Sequence, residues 1–178
     1  MDLLFKNPKY FFETYFGISL IQFALLFVII SIALCMCDAL LHKRKRYAWV
    51  FCFSFFLTIV FTVSLLNPNR EMRRDLIINP FIHLKEVLNG NTHFIRETLS
   101  NILLYVPIGI MFAVAKVKWP HTLAFIFLLS FGIELLQYTL SRGCFETADI
   151  IFNFLGGIIG YIIGLMMTRL HKRVCEDE

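Results

Sequence analysis

The stretch FGIELLQYTLSRGCFETADIIFNFLGGIIGYIIG, residues 131–164, determines how the rest of the chain is interpreted. It joins two apolar runs through a short polar link. Its polar side chains lie within twenty positions: Glu134, Gln137, Arg142, Glu146, Asp149 and Asn153. Glu134 and Gln137 share one helical face, and Asp149 and Asn153 share a face of the next apolar run. A carboxylate at the centre of a membrane helix costs about 2.5–3.5 kcal/mol on insertion scales, so such groups usually have a partner or a function. The stretch therefore predicts two membrane helices joined by a tight loop, with polar groups that face each other.

The composition of the chain indicates a membrane protein. Of its 178 residues, 58% are hydrophobic and only 17% are charged. The mean hydropathy is +0.70, above the ordinary range of soluble domains. The net charge of +4 follows from Lys and Arg in predicted loops, so we expect no nucleic-acid partner.

Apolar runs of about the length of a membrane crossing predict an all-α, polytopic helix bundle with five spans in the lipid bilayer. The spans cover residues 18–41, 47–66, 99–115, 121–140 and 150–168. The first two form an N-terminal part, residues 1–66, and the rest belong to residues 67–178. We expect the two parts to make one structural unit.

A short amphipathic helix is predicted within the long segment between the second and third spans. Asn79 and Pro80 are typical of a helix start, and Asn89-Gly90 is typical of a helix end. Between them, an apolar stripe consists of Phe81, Leu84, Val87 and Leu88. Such a helix either lies flat in the membrane interface or packs on the bundle.

Three glycines at four-residue spacing mark one face of the fifth span: Gly156, Gly160 and Gly164. Small residues at this spacing let two helix backbones approach closely. The face serves either packing within the bundle, which we favour, or dimerisation.

Counting Lys and Arg predicts the orientation of the chain. With the N-terminus outside and the C-terminus in the cytoplasm, nine lie on the inner side and eight on the outer side. Without the long, acid-balanced segment the contrast becomes nine against three. This topology places the polar residues of the last three spans in the outer half of the membrane: Asn101, Tyr105, Glu134, Gln137, Asp149 and Asn153.

These polar residues allow two interpretations. They either hold the bundle together by hydrogen bonds, each contributing about 0.6–2 kcal/mol, or form a binding or catalytic site. Glu146 and Asp149 are either paired carboxylates for acid–base chemistry or a solvated loop acid followed by a helix-starting Asp. The five His residues are scattered without metal-ligand spacing, so we expect no metal and no cofactor.

Several of these residues together resemble the VanZ-like family of bacterial membrane proteins. The resemblance is carried by NPF at 79–81, NILLYVPIGI at 101–110, IELLQ at 133–137, Arg142, Asp149, Asn153 and Gly156-Gly157. Family members usually carry an acid between the Arg and the second Asp, and Glu146 is the nearest equivalent here. The resemblance implies a place in the bacterial cytoplasmic membrane and a link to low-level teicoplanin resistance, but no reaction.

Two functions agree with this pattern. In the first, which we favour, the outer polar residues bind the head group of a lipid-linked cell-wall precursor or another membrane protein, without catalysis. In the second, the chain is a hydrolase or transferase acting on a lipid-linked phosphate or glycan. Arg142 would then pair with the anionic group, and Glu134 or Asp149 would act as general acid or base. No nucleophile with a suitable base is evident, which weighs against the enzyme.

Overall fold

The computed structural model describes residues 20–41, 47–65 and 75–176. These residues form α1 (Leu20–Leu41), α2 (Tyr47–Leu65), β1 (Leu76–Ile77), α3 (Pro80–Leu88), α4 (Thr92–Val114), α5 (Trp119–Thr139), β2 (Phe145–Glu146) and α6 (Thr147–Glu176). The predicted all-α fold class is confirmed. The link between the first two predicted spans, residues 42–46, and the start of the long segment, residues 67–74, lie outside the described residues.

The chain divides into two compact units, Met1–Glu71 and Met72–Glu178. In the first unit, α1 and α2 pack through aromatic rings, and the edge of Phe27 meets Phe51 with ring centroids 5.0 Å apart. The buried Ser54 hydroxyl donates to the carbonyl oxygen one turn earlier, at 2.7 Å. Such a bond satisfies a polar group inside an apolar helix without any partner from another element.

Three helices of the second unit are long and apolar enough to cross a membrane: α4, α5 and residues Thr147–Leu170 of α6. In the first unit, the described residues include two shorter apolar helical stretches, Gln22–Ile32 in α1 and Trp49–Leu65 in α2. Length and composition of the described helices therefore support three spans, and the count of five stays a prediction.

Helices α4 and α6 extend beyond the predicted spans. Helix α4 begins at Thr92, rather than at residue 99, because the Asn91 side chain caps it by accepting from the His93 N–H at 3.2 Å. Helix α6 runs from Thr147 to Glu176, whereas the predicted span covered residues 150–168. Its additional C-terminal turns are rich in Arg, Lys and Glu, which favour helix once the preceding turns are formed.

The backbones of α4 and α6 are in close contact along the glycine stripe. A Cβ atom on Gly156 would collide with the carbonyl group of Ile102, and one on Gly160 with that of Val106. One turn further on, Gly164 lies against α4 in the same way. The stripe therefore faces another helix of the same chain.

Helix α5 completes the three-helix bundle of the second unit. Gly157 makes room for the side chain of Ile126 from α5, which is fully buried. At the far end of the bundle, the Tyr161 hydroxyl donates to the carbonyl oxygen of Val117 at 2.9 Å. This bond ties α6 to the turn between α4 and α5.

Candidate functional site

A pair of two-residue strands connects the segment before α3 to the link between α5 and α6. Strand β1 runs parallel to β2, with Leu76 opposite Phe145 and Ile77 opposite Glu146. The Phe145 N–H also donates to the carbonyl oxygen of Asp75 at 2.9 Å. Because α3 follows β1 after two residues, this pairing holds α3 beside the start of α6.

Helix α3 matches its predicted bounds, but its inward side is polar. The Asn79 side chain accepts from the Phe81 N–H at 3.0 Å, and Asn89 ends the helix. The residue that α3 buries is His83, which is 2% exposed. Phe81 and Leu88 are 71% and 78% exposed, so the apolar stripe faces away from the bundle.

Glu134 on α5 fixes the start of α6. Its carboxylate, 2% exposed, accepts the backbone N–H of Glu146 at 2.9 Å, at the residue immediately before α6. The first N–H groups of a helix have no partner within the helix, and they carry a partial positive charge. A buried carboxylate at this point satisfies one such N–H and is itself stabilised.

Deeper in the bundle, α4, α5 and α6 each contribute to a group of buried polar side chains. Asn153 donates from Nδ2 to the Ser130 hydroxyl at 2.9 Å. The fully buried Tyr105 hydroxyl approaches Ser130 but meets no partner at hydrogen-bond geometry. Glu134 and Asp149 are near enough to act on this hydroxyl electrostatically. We call Tyr105, Ser130, Glu134, Asp149 and Asn153 the polar cluster.

His83 extends the polar cluster toward α3. Its Nε2 lies 3.0 Å from the Thr98 hydroxyl of α4. Its Nδ1 lies 3.5 Å from a carboxylate oxygen of Glu146. The imidazole is enclosed by the rings of Phe94 and Phe152, at centroid distances of 4.9 and 5.4 Å. The ring is therefore held in one orientation, with Nδ1 directed at the start of α6.

The remaining residues predicted for the site lie around this cluster. Gln137, 1% exposed, is one turn beyond Glu134 on α5. Asn101 is half-buried on α4, one turn before Tyr105. The side chain of Arg142 is exposed on the link between α5 and α6.

Sequence reasoning did not place Ser130 or His83 in the site and left the role of Glu146 open. Ser130 lies one turn before Glu134 on the same helical face, a signal that the sequence does contain. His83 lies between the apolar residues Ile82 and Leu84 on α3, but nothing local connects it to Glu146. That contact depends on the β1–β2 pairing.

The region that carries the site matches a known family. The model of the VanZ/LLP1 family matches residues 46–168, which is more than half of the chain and includes every residue of the polar cluster. The chain belongs to the VanZ/LLP1 family. The resemblance found in the sequence is confirmed, and the match begins before α2, earlier than the residues that carried the resemblance.

A curated relative supports the membership. The chain is 28% identical over 113 residues to "Protein VanZ" of Enterococcus faecium. The aligned part is 62% of this chain and 65% of the relative. No solved structure matches the chain significantly.

Proposed function

We propose that this chain is a five-span protein of the bacterial cytoplasmic membrane, with the N-terminus outside and the C-terminus in the cytoplasm. Its polar cluster binds the head group of a lipid-linked cell-wall precursor at the outer leaflet, and this binding influences glycopeptide susceptibility. The proposal combines family membership, the Lys and Arg distribution and the geometry of the cluster.

The observation that carries the proposal is a pair of buried polar atoms without hydrogen bonds. The Tyr105 hydroxyl is fully buried, and Asn153 Oδ1 belongs to a side chain that is 5% exposed. A buried polar group that lacks a partner costs about 1–3 kcal/mol. The Tyr105 hydroxyl comes from α4 and Asn153 Oδ1 from α6. A polar ligand that binds between these helices would supply the hydrogen bonds that both atoms lack.

The depth of the cluster suits a lipid head group. Glu134 lies about 8 Å from the end of α5, and Asn153 about 9 Å from the start of α6, at about 1.5 Å per residue. Both positions are at the end of the bundle that the Lys and Arg count assigns to the outside. The exposed Phe81 and Leu88 give α3 an apolar face for the membrane interface.

Arg142 supplies a cation at the same end of the bundle. Its guanidinium is exposed on the link between α5 and α6, where a ligand enters from the membrane surface. Arg binds phosphate through paired, charge-assisted hydrogen bonds. A polyprenyl phosphate head group is therefore the ligand chemistry that fits Arg142 together with the hydroxyl and amide groups inside.

The enzymatic alternative has less support from the geometry. One carboxylate oxygen of Glu134 is engaged with the Glu146 N–H, which is a holding role rather than that of a free base. Ser130, a possible nucleophile, accepts a hydrogen bond from an amide of Asn153, and an amide cannot remove its proton.

Binding of a lipid phosphate tests the proposal. Detergent-solubilised protein is melted with a polyprenyl phosphate or with the uncharged polyprenol of equal chain length. We expect the phosphate to raise the melting temperature more than the polyprenol. Arg142→Gln should lose this difference, because it removes the cation that pairs with the phosphate. Glu134→Gln, which keeps the shape of the side chain, tests the carboxylate.

Lys118→Gln is the matched control, because it removes an exposed cation at the opposite end of α5. The same variants are tested for teicoplanin susceptibility in cells with equal amounts of membrane-inserted protein. If phosphate and polyprenol act alike, and if Glu134→Gln and Arg142→Gln keep the wild-type phenotype, the cluster only holds the bundle. Release of inorganic phosphate from the lipid would instead favour the enzyme.

A further inference from the structure

Beside the polar cluster, one imidazole and two carboxylates converge from three separate elements. His83 comes from α3, Glu146 from β2 and Asp149 from the first turn of α6. One ligand atom from each lies within 4.8 Å of the other two. We infer that these three residues form a binding site for one divalent transition-metal ion, such as Zn²⁺ or Mn²⁺. The inference concerns metal binding alone and does not require the lipid ligand.

The spacing of two of the three ligand atoms suits a metal ion. Zinc bonds to imidazole nitrogen and carboxylate oxygen at about 2.0–2.2 Å, so neighbouring ligand atoms lie about 3.0–3.5 Å apart. His83 Nδ1 and the nearer Glu146 oxygen are 3.5 Å apart. This distance is too long for a good N–H···O hydrogen bond, which spans about 2.7–3.2 Å. It falls within the range expected between two ligands of a common ion.

The surroundings of His83 resemble those of metal-binding imidazoles. Such a residue usually donates its second ring N–H to an oxygen, which fixes the tautomer and directs the other nitrogen at the metal. His83 Nε2 has this partner, the Thr98 hydroxyl at 3.0 Å. With Nε2 as the donor, Nδ1 carries a lone pair, and this buried atom has no hydrogen bond. A cation between them would be bound by the Nδ1 lone pair and by the carboxylate oxygens of Glu146 and Asp149.

Glu146, one of the two acidic ligands, has a fixed backbone and an accessible side chain. The backbone N–H of Glu146 is fixed by Glu134, while the Glu146 side chain is 24% exposed. An ion therefore has a path from solvent to the buried His83 Nδ1. Imidazole favours Zn²⁺ and related ions, and carboxylates also accept Mn²⁺. Three protein ligands leave at least one coordination position for water or a ligand oxygen.

Metal content of the purified protein tests the site. Protein without a polyhistidine tag is stripped with a chelator, loaded with Zn²⁺ or Mn²⁺ in detergent, and analysed by elemental mass spectrometry and calorimetric titration. We expect about one ion per chain and a higher melting temperature with the ion, since an ion that binds only the folded state stabilises it. Mg²⁺, which binds imidazole poorly, should compete weakly.

Variants separate this site from adventitious binding. His83→Gln and Glu146→Gln each remove one ligand, and we expect the affinity to fall at least tenfold. Thr98→Val removes only the oxygen that orients the imidazole and should weaken binding about 10–100-fold. Glu146→Gln keeps the backbone N–H that bonds to Glu134, so it provides a test even where His83→Gln fails to fold.

A second His–Glu pair on the surface gives the matched control. His93 Nδ1 lies 3.4 Å from a carboxylate oxygen of Glu97, almost the same distance, but the two side chains are 74% and 46% exposed. His93→Gln should leave metal binding unchanged. Failure of the stripped protein to take up either ion would overturn the inference. So would equal binding by wild type, His83→Gln and Glu146→Gln, or an equal loss in His93→Gln.

Discussion

Replacing Tyr105 with Phe should stabilise the bundle, although it removes a polar group from the predicted site. The substitution deletes one oxygen atom and keeps a ring that is fully buried. That oxygen approaches the Ser130 hydroxyl but meets no partner at hydrogen-bond geometry. Tyr161, on α6 of the same unit, provides the opposite case, because its hydroxyl donates to the Val117 carbonyl at 2.9 Å.

The two Tyr→Phe substitutions should therefore change the free energy of unfolding in opposite directions. Removing an unpaired buried hydroxyl relieves a desolvation cost of about 1–3 kcal/mol, so Tyr105→Phe should raise the free energy of unfolding by about 1 kcal/mol or more. Removing the Tyr161 hydroxyl loses a formed hydrogen bond, which contributes about 0.5–1.5 kcal/mol. We expect Tyr105→Phe to bind the lipid phosphate more weakly than wild type, despite its greater stability.

Reversible unfolding by sodium dodecyl sulfate, followed by tryptophan fluorescence, measures both variants in one mild detergent. Neither substitution alters a tryptophan, so the signal is comparable. A Tyr105→Phe protein that is destabilised as much as Tyr161→Phe would show that the Tyr105 hydroxyl has a partner in the folded bundle. The polar cluster would then contain no unpaired hydroxyl for a polar ligand to satisfy.

Two further predictions concern helix packing and orientation. Gly160→Ala should destabilise the bundle by about 1–3 kcal/mol, independently of protein concentration, because its Cβ meets the backbone of Val106. Gly132→Ala is the control and should be neutral or stabilising, because a Cβ at this position would meet open space. If Gly160→Ala instead converted a dimer into folded monomers, the role of Gly160 in packing within the bundle would be contradicted. In single-cysteine variants of intact cells, a membrane-impermeant maleimide should label Cys144 and not Cys175, whereas the reverse pattern would place the polar cluster at the cytoplasmic side.

Much of the local structure follows from the sequence, because it depends on neighbouring residues. The start and end of α3 were predicted from Asn79 and from Asn89-Gly90, and the structure confirms both. Capping and turn formation involve side chains only a few residues away. Helix α4 begins before the predicted span, because the cap at Asn91 lies in a polar stretch, where hydrophobicity gives no signal for a helix.

The sequence predicts those residues of the polar cluster that are unusual in their own surroundings along the chain. A carboxylate or amide within an apolar run is costly wherever the helices lie, so Glu134 and Asn153 are noticeable in the sequence. The sequence also shows that Ser130 and Glu134 share a face, since they lie at positions i and i+4 of one helix. It cannot show which helix that face meets.

Only the tertiary structure decides which distant groups come together. The glycine spacing on α6 indicates close packing, but the choice of α4 as the partner depends on the shapes of both helices. Likewise, the parallel pairing of Leu76 with Phe145 brings His83 to Glu146. Contacts of this kind depend on chain segments about 65 residues apart and leave no periodic pattern in the sequence. The apolar runs by themselves determine helices, whereas the backbone pairing between loops creates the imidazole–carboxylate group.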